Sequence, residues 1–400
     1  MKIFKQLTKS HPATLLAALA ELHAQLASCD IPQMLAGWAL VFPRLLLDHN
    51  VSVRTQTMLV HSDICKHSAQ FKPILSDICS MWLLALFDPA ITVQNSARRA
   101  LDTAYPRKLA NLLLYSKDTI DAYLSNLLQA GEAGPLGPAD QERYPRLLIG
   151  TVCLVGLIHQ HNIALKLEKS REFWQLCAST DVTVRKAMFE YISERAEKRT
   201  FDTLELELVC KYFVAKCIRE PVVSAHDAMW TAVLAVLKAY PESWEMASAK
   251  KSLANSLIDA TKNERCLRAL SQLLPLLPHA FVQTGIDWSK MLQTIRNSKN
   301  KPQIAISVYY NCWIFYAKLN IDSVVLVAEF MAPITSGNFP TLLVVTSAMQ
   351  TLQKCEEECR LETAQIVSGL NDLLADLLTR ASLDILAALA SNPLKIVLRS

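Results

Sequence analysis

The chain has 400 residues, a formal net charge of +4 and only nine glycines. All-β folds and phosphate-binding α/β folds place glycine at their turns, so this composition disfavours both classes. The small net charge does not by itself indicate nucleic-acid binding, which requires basic residues clustered on one face. Leucine and alanine are abundant, and both favour helices.

The segment that defines the repeat runs from residue 38 to residue 54. An apolar helical run ends at Asp48, and a second helix begins near Val53. The same marks return at Asp88 and Val93, 40 residues later in both cases. A helix–turn–helix unit with this period is typical of HEAT and armadillo arrays. We therefore expect an all-α fold, a HEAT/armadillo-like α-solenoid of stacked antiparallel helix pairs without a sheet.

Helical periodicity along the chain supports this fold. The predicted helices cover about 13–27, 31–47, 51–67, 71–87, 90–104, 117–129, 144–162, 170–178, 203–218, 221–240, 244–262, 264–278, 288–297, 302–319, 321–332, 338–353, 359–379 and 381–391, and a further helix has Val184-Arg185 at its start and runs to about 198.

A Gly/Pro-rich stretch at 130–145 interrupts the repeats and predicts an exposed loop. We divide the chain into repeats at 1–129, this loop, further repeats at 146–280, and a last helical region at 281–400. The final residues lack a polar capping helix, so the array is expected to be cut short.

Twelve residues form the predicted repeat framework. The aspartates are expected to cap the second helices, the valines to point into the stack, and the arginines to pair with an aspartate of the same or an adjacent repeat. Gln94 stands where the second repeat should have its arginine, unless Arg98 replaces it. The framework residues are Trp38, Pro43, Asp48, Val53, Arg54, Trp82, Asp88, Val93, Trp174, Val184, Arg185 and Trp230.

The sequence offers no catalytic motif and no convincing metal site. Cys355 and Cys359 have a spacing found in zinc sites, but no second pair lies nearby, so a solvated acidic turn is favoured. His159 and His161 end a helix, where the dipole favours histidine. Cys65, with His61 and His67 beside it, lies on a predicted helix without the turn that holds a nucleophile. We expect no catalytic residue, no cofactor and no metal in this chain.

The chain is also expected to be cytosolic. Its eleven cysteines are scattered singly, which is typical of reduced thiols. The N-terminus lacks the apolar run of a signal peptide, and the longest apolar stretch is too short for the roughly 20 residues of a membrane-spanning helix.

Basic pairs are the candidate partner contacts. Solvation of helix ends explains most such residues, and the alternative is contact with RNA phosphates or with an acidic protein. The candidates are Lys5, Lys9, Arg107, Lys108, Lys250 and Lys251.

Four groups of residues resemble the N-terminal domain of listerin, the RING-type E3 ubiquitin ligase of ribosome-associated quality control. Their order and approximate spacing agree over about residues 1–280. The groups are Leu7-Thr8-Lys9 with Thr14, Ala18-Leu19 and Glu21-Leu22; Trp38, Phe42-Pro43-Arg44, Leu47-Asp48-His49, Val53-Arg54, Phe71-Lys72-Pro73, Trp82 and Asp88; Phe173-Trp174, Val184-Arg185 and Phe189-Glu190; and Met229 to Leu234, Trp244, Lys250-Lys251 and Leu274 to Pro278.

The resemblance implies a cytosolic ligase that recognises the 60S ribosomal subunit carrying a stalled nascent chain and ubiquitinates that chain. It implies contacts of this domain with the 60S subunit and with the nuclear export mediator factor cofactor, and none with DNA or a membrane. The RING, its zinc and its E2 contact are absent from this sequence, which has no run of eight zinc ligands. At His11, Leu15 and Ala17 the family usually has charged residues, so a contact that the family makes through those charges is not expected here.

Two other functions remain as alternatives. A karyopherin- or adaptin-like transport or adaptor scaffold would show a more regular repeat and acidic inner faces. A stand-alone hydrolase has no motif to support it.

Overall fold

The structure is a computed structural model that describes residues 2–26, 31–66, 74–130, 143–216, 219–247, 250–298, 301–318 and 323–358. Within these ranges the chain is helical between its turns and contains no strand, so the predicted all-α solenoid class is confirmed. No helix in the same ranges combines the length and apolarity needed to cross a bilayer. The predicted helices at 359–379 and 381–391 and most of the predicted loop, residues 131–142, lie outside the described residues.

The chain divides into two compact units. The first consists of Met1–Arg195 with Thr200–Phe213, and the second of Ala196–Arg199 with Val214–Ser400. The α-helices of the first unit are α1 (Lys2–Gln6), α2 (Pro12–Gln25), α3 (Ile31–Leu46), α4 (Val51–Ile64), α5 (Leu75–Ala85), α6 (Ile91–Ala104), α7 (Leu109–Ala130), α8 (Arg143–Gln160), α9 (Arg171–Gln175), α10 (Val182–Glu197, whose last two residues fall in the second unit) and α11 (Thr203–Val209).

The second unit contains nine further α-helices within the described ranges. They are α12 (His226–Ala239), α13 (Ser243–Met246), α14 (Lys250–Ala260), α15 (Glu264–Leu273), α16 (His279–Thr284), α17 (Trp288–Arg296), α18 (Pro302–Ala317), α19 (Ser323–Thr335) and α20 (Thr341–Glu358).

Helices in each unit pack in two rows, as stacked helix pairs require. In the first unit α2, α4 and α6 form one row and α3, α5 and α7 form the other. In the second unit α12, α15, α18 and α20 follow one another, with α14, α17 and α19 beside them. Neither row could bury its apolar side alone, so the core of each unit lies between the rows.

All seven tryptophans are buried, which supports their interpretation as packing residues. Trp38, Trp82 and Trp174, which lies in α9, are fully buried in the first unit. Burying a large apolar side chain contributes about 1.5–3 kcal/mol, so these residues stabilise the packing between helices.

Several helix predictions differ from the structure. The helix predicted over 244–262 divides into α13 and α14, and α1 and α16 were not predicted. The helix predicted over 117–129 begins at Leu109, because the break at Arg107-Lys108 is a short turn and good helix formers follow it. The helix predicted over 203–218 ends at Val209 and continues as a π-helical turn over Cys210–Val214.

Candidate docking surface

A buried ion pair joins the first turn of α4 to the turn that precedes α6. Arg54 Nε lies 2.8 Å from Asp88 Oδ2, and Arg54 Nη2 lies 3.0 Å from Asp88 Oδ1. Arg54 Nη1 also donates to the carbonyls of Asp48 and His49, at 2.9 and 3.0 Å. Arg54 and Asp88 are only 3% and 6% exposed. One guanidinium therefore fixes its own turn and connects it to the next repeat.

The predicted capping role of Asp48 and Asp88 is wrong. Asn50 occupies the N-cap of α4, and its side chain accepts from the backbone N–H groups of Ser52 and Val53. Asp48 instead accepts from the N–H of Asn50, and Asp88 from the N–H of Ala90. Because each aspartate lies two residues before the cap, its carboxylate folds the turn that precedes the helix.

The third copy of the turn has a shorter spacing, and there the aspartate is the cap. Asp181 immediately precedes α10 and accepts from the N–H groups of Thr183 and Val184, at 2.7 and 3.3 Å. These bonds, with the Thr183 hydroxyl as the largest contribution, hold the pKa of Asp181 below its ordinary value. Arg185 Nη1 donates to the carbonyls of Ser179 and Thr180, at 2.7 and 3.1 Å.

Gln94 takes the place of the missing arginine in the second repeat. Its Nε2 donates to the carbonyl of Asp88 at 2.7 Å, as Arg54 donates to the carbonyl of Asp48. Arg98 does not replace it, since Arg98 is exposed and has no ion-pair partner within the described ranges. In all three repeats a side chain thus donates hydrogen bonds to the carbonyls of the turn, and Arg54 additionally forms the ion pair with Asp88.

Arg44 and Arg146 each end an aromatic–Pro–Arg sequence, and each donates hydrogen bonds to backbone carbonyls at the end of another helix or in the turn after it. Arg44, after Pro43, donates to the carbonyl of Thr8 at 2.7 Å. Arg146, after Pro145, donates to the carbonyls of Leu46, Leu47 and Asp48 at 3.3–3.4 Å and lies 4.0 Å from Asp88. Burial and the nearby Arg54 lower the pKa of Arg146 to about 10.

A second buried ionic cluster lies around Arg195, and the sequence alone did not indicate it. Glu168 accepts from the Tyr191 hydroxyl at 2.6 Å and from Arg195 Nη1. Arg195 Nη2 also donates to Glu205 Oε2 at 2.7 Å. Burial raises the pKa of Tyr191 and of Glu205, although Arg195 opposes the rise in Glu205. The cluster ties α10 and α11 to the 3₁₀ turn at Lys166–Lys169.

The histidines and cysteines are placed as packing residues. His61 is buried and accepts from Trp38 Nε1 at 3.2 Å, and burial lowers its pKa to about 3. Burial raises the pKa of the Cys65 thiol, which opposes nucleophilic reactivity. His159 lies 3.6 Å from Glu168. Among the described residues no three His, Cys, Asp or Glu side chains group as a metal site, and His67 and Cys359 lie outside those residues.

The ends of the α2, α4 and α6 row define two edges of the first unit. Thr55 and Thr92, near the starts of α4 and α6, are hydrogen-bonded at 3.0 Å, so both helices start at the same edge. His23 and Asp63, near the ends of α2 and α4, pair with each other at the opposite edge. We call these the start edge and the end edge.

The predicted contact residues do not lie at one edge. Lys5 and Lys9 are exposed at the start edge, where Arg44 holds the turn between α1 and α2. Arg107 and Lys108 are exposed at the end edge, in the turn between α6 and α7. Lys250 begins α14 in the second unit, and the side chains of Lys250 and Lys251 lie outside the described ones.

Comparison with known proteins identifies the family. A family model described as "E3 ubiquitin-protein ligase listerin, N-terminal domain" matches residues 1–133 and 156–279, well over half of the chain. The chain belongs to the listerin family. It is similar to the E3 ubiquitin-protein ligase listerin of Xenopus tropicalis (24% identity; 56% of this chain, 14% of the relative), of Neurospora crassa (22%; 74% and 20%) and of Drosophila melanogaster (23%; 69% and 18%). The chain thus spans a fifth or less of the length of these listerins.

The listerin match includes every predicted contact residue. Lys5, Lys9, Arg107 and Lys108 lie in its first segment, and Lys250 and Lys251 lie in its second. Residues 134–155, which the match omits, include Arg146. Arg146 itself therefore lies outside the part of the chain that matches the listerin N-terminal domain, whereas the residues that it contacts lie inside that part.

Arg107 differs from the other predicted contact residues in its backbone conformation and in the contacts of its side chain. It follows Pro106 in a third aromatic–Pro–Arg sequence, but within the described ranges it makes no hydrogen bond of the kind made by Arg44 and Arg146. Its φ of 57° is in the left-handed region, where a side chain costs roughly 1–2 kcal/mol and glycine is the usual choice. An exposed arginine is thus held in an unfavourable conformation for which its own packing gives no reason.

Proposed function

We propose that this chain is the N-terminal part of a listerin-type E3 ubiquitin ligase and that it docks the ligase on 60S ribosomal subunits carrying stalled nascent chains. The ligase then ubiquitinates these chains for degradation in the cytosol. The family match over residues 1–133 and 156–279 is the observation that supports this function. Zinc and the E2 enzyme belong to a RING outside this sequence.

Exposed basic residues are the proposed contacts with the ribosome and with a nuclear export mediator factor-type cofactor. Arg107 and Lys108 are exposed, and no carboxylate in the described ranges pairs with either of them. Ribosomal RNA and acidic protein segments both carry negative charge, so exposed cations without a carboxylate partner provide an electrostatic contribution to docking. Lys250 and Lys251 are the matching pair in the second unit.

Co-sedimentation with purified 60S subunits that carry a nascent chain tests the proposal. We expect the intact chain to pellet with these subunits. Combined Arg107→Glu, Lys108→Glu, Lys250→Glu and Lys251→Glu should reduce the pelleted fraction, because each reversal replaces attraction to an anionic partner with repulsion. Lys262→Glu is a matched control, since Lys262 already pairs with Asp259 at 2.8 Å on an exposed surface.

The two possible failures have different meanings. If the intact chain does not pellet, the docking role is wrong. If it pellets and the four reversals change nothing, docking stands and the assigned contact residues are wrong.

A further inference from the structure

The N-terminal half of α7 presents an exposed face that combines cations with apolar side chains. Tyr115 is 66% exposed and Leu114 is 57% exposed, whereas Leu112 and Leu113 on the other side are buried. Lys108 and Asn111 are exposed as well. Residues three or four apart lie on one side of a helix, so Lys108, Asn111, Leu114 and Tyr115 share a side. We call these four residues, with Arg107 preceding them, the α7 face.

The packing of α7 leaves this face uncovered within the first unit. Tyr123 donates to the sulfur of Met81 at 2.9 Å, which ties the second half of α7 to α5. Asp121 accepts from the backbone N–H groups of Lys166 and Leu167, at 3.2 and 2.9 Å. These contacts hold the helix rigidly from its C-terminal half. The α7 face is therefore presented by a fixed helix.

The charges at the start of α7 are opposite to those that stabilise a helix. The first turn has no acidic residue, and Arg107 and Lys108 add positive charge where the helix dipole is already positive. Arg107 additionally occupies the left-handed region. Exposed cations without a carboxylate partner in the described ranges are complementary to a negatively charged partner.

We infer that the α7 face binds an acidic, amphipathic segment of a protein, which places an apolar side chain on Leu114 and Tyr115 and a carboxylate near Arg107 and Lys108. This inference deepens the proposed function, on which it rests, by naming the class of partner at one of its sites. Seven residues of helix separate Lys108 from Tyr115 by about 10 Å. Two turns of a partner helix cover this distance.

An RNA strand fits the face less well. Tyr115 offers a single ring on which a base could stack, whereas the exposed aliphatic surface of Leu114 beside it is suited to an apolar side chain. Asp118, exposed one turn beyond Tyr115, would repel a phosphate backbone that continued along the helix. A partner whose negative charge is confined to the start of α7 avoids this repulsion. Tyrosine and arginine are also the residues that dominate the energetics of protein interfaces.

Site-specific photocrosslinking in the full-length ligase tests the inference. A benzoylphenylalanine replaces Tyr115, and the crosslinked segment is sequenced by mass spectrometry. The control probe replaces Leu40, an exposed leucine of α3 that is 83% accessible. We expect the Tyr115 probe, and not the Leu40 probe, to capture a segment with Asp or Glu and apolar residues at helical spacing.

Charge variants then test the basic half of the face. Combined Arg107→Glu and Lys108→Glu should lower the yield of this crosslink about tenfold, since charge reversal across an interface replaces attraction with repulsion. Arg199→Glu is the matched control, because Arg199 is also exposed with a left-handed φ of 52° and undergoes the same charge reversal. It should leave the yield unchanged.

Several outcomes would overturn the inference. They are an RNA adduct, a captured segment that is neutral or basic, a yield no higher than that of the Leu40 probe, and a yield insensitive to the double reversal. Pelleting of the same variants with 60S subunits separates the two proposals. If the chain pellets with 60S subunits and one of these outcomes is observed, only the inference is wrong. If the unmodified chain does not pellet, the proposed docking is wrong.

Discussion

Arg54 and Asp88, 34 residues apart, form a two-bonded ion pair that is almost completely buried between successive repeats. Breaking such a pair leaves a buried charge without compensation, which costs about 3–5 kcal/mol. We expect Arg54→Ala to lower the free energy of unfolding by this amount in urea titrations followed by tryptophan fluorescence.

Two comparisons decide whether the cost comes from the buried charge. The double variant Arg54→Met with Asp88→Leu should recover part of the loss, because apolar residues can replace the buried pair but not the bonds of Arg54 to the turn carbonyls or of Asp88 to the Ala90 N–H. Lys262→Ala removes the exposed Lys262–Asp259 pair and should cost less than about 1 kcal/mol. An Arg54→Ala cost as small as that of Lys262→Ala would contradict the assignment.

Gln94 provides a separate test of the turn contact shared by the repeats. Its side chain donates to the carbonyl of Asp88, so Gln94→Ala should cost about 1 kcal/mol. Asn95→Ala in the same helix turn changes an exposed residue and serves as the control. Equal unfolding free energies for the two variants would show that the Gln94 contact does not stabilise the turn.

His61 makes stability depend on pH in a defined direction. Burial lowers its pKa in the folded chain to about 3, whereas an unfolded histidine titrates near 6.5. The stability that neutral His61 contributes is therefore complete above about pH 6.5 and is lost as the pH falls toward 3, by about 1.4 kcal/mol per pH unit.

Urea titrations from about pH 7 to about pH 4 measure this slope. His61→Gln keeps an acceptor for Trp38 Nε1 but cannot titrate, so its stability should fall less steeply over the same range. Identical slopes for the two proteins would mean that folding does not lower the pKa of His61.

The helix pairs could be predicted from the sequence, and part of the turn chemistry could not. The 40-residue period and the apolar stripes depend only on local spacing, and they predicted the stacked helix pairs that form the two rows. The cap at Asn50 was missed because Asp48 and Asn50 are both good capping residues, and only the observed start of α4 decides between them.

Long-range ionic contacts escaped prediction for a different reason. Glu168 and Arg195 are 27 residues apart, and nothing in their local sequence indicates that both will be buried together. Arg146 could have been found, since Tyr144-Pro145-Arg146-Leu147-Leu148 repeats the pattern of residues 42–46. The candidate contact residues Arg107 and Lys108 were indicated by charge alone, and their separation from Lys5 and Lys9 required the fold.

Arg107 should show opposite effects on stability and on docking. Arg107→Gly removes the side chain from a left-handed conformation and should stabilise the chain by about 1 kcal/mol. The same change removes a proposed contact and should weaken pelleting with 60S subunits. Arg199→Gly, at φ 52°, should stabilise similarly without affecting pelleting. Unaltered pelleting of Arg107→Gly would exclude Arg107 from the contact.

Competition in a reconstituted ubiquitination reaction tests the docking role most directly. Full-length listerin, an E2 enzyme and 60S subunits with stalled nascent chains are mixed with an excess of this 400-residue chain. Because the chain lacks a RING but carries the proposed docking surface, we predict that nascent-chain ubiquitination falls as the chain is added. The Arg107→Glu, Lys108→Glu, Lys250→Glu, Lys251→Glu variant should compete less well. Ubiquitination that remains unchanged at saturating amounts of the folded chain would contradict the docking role.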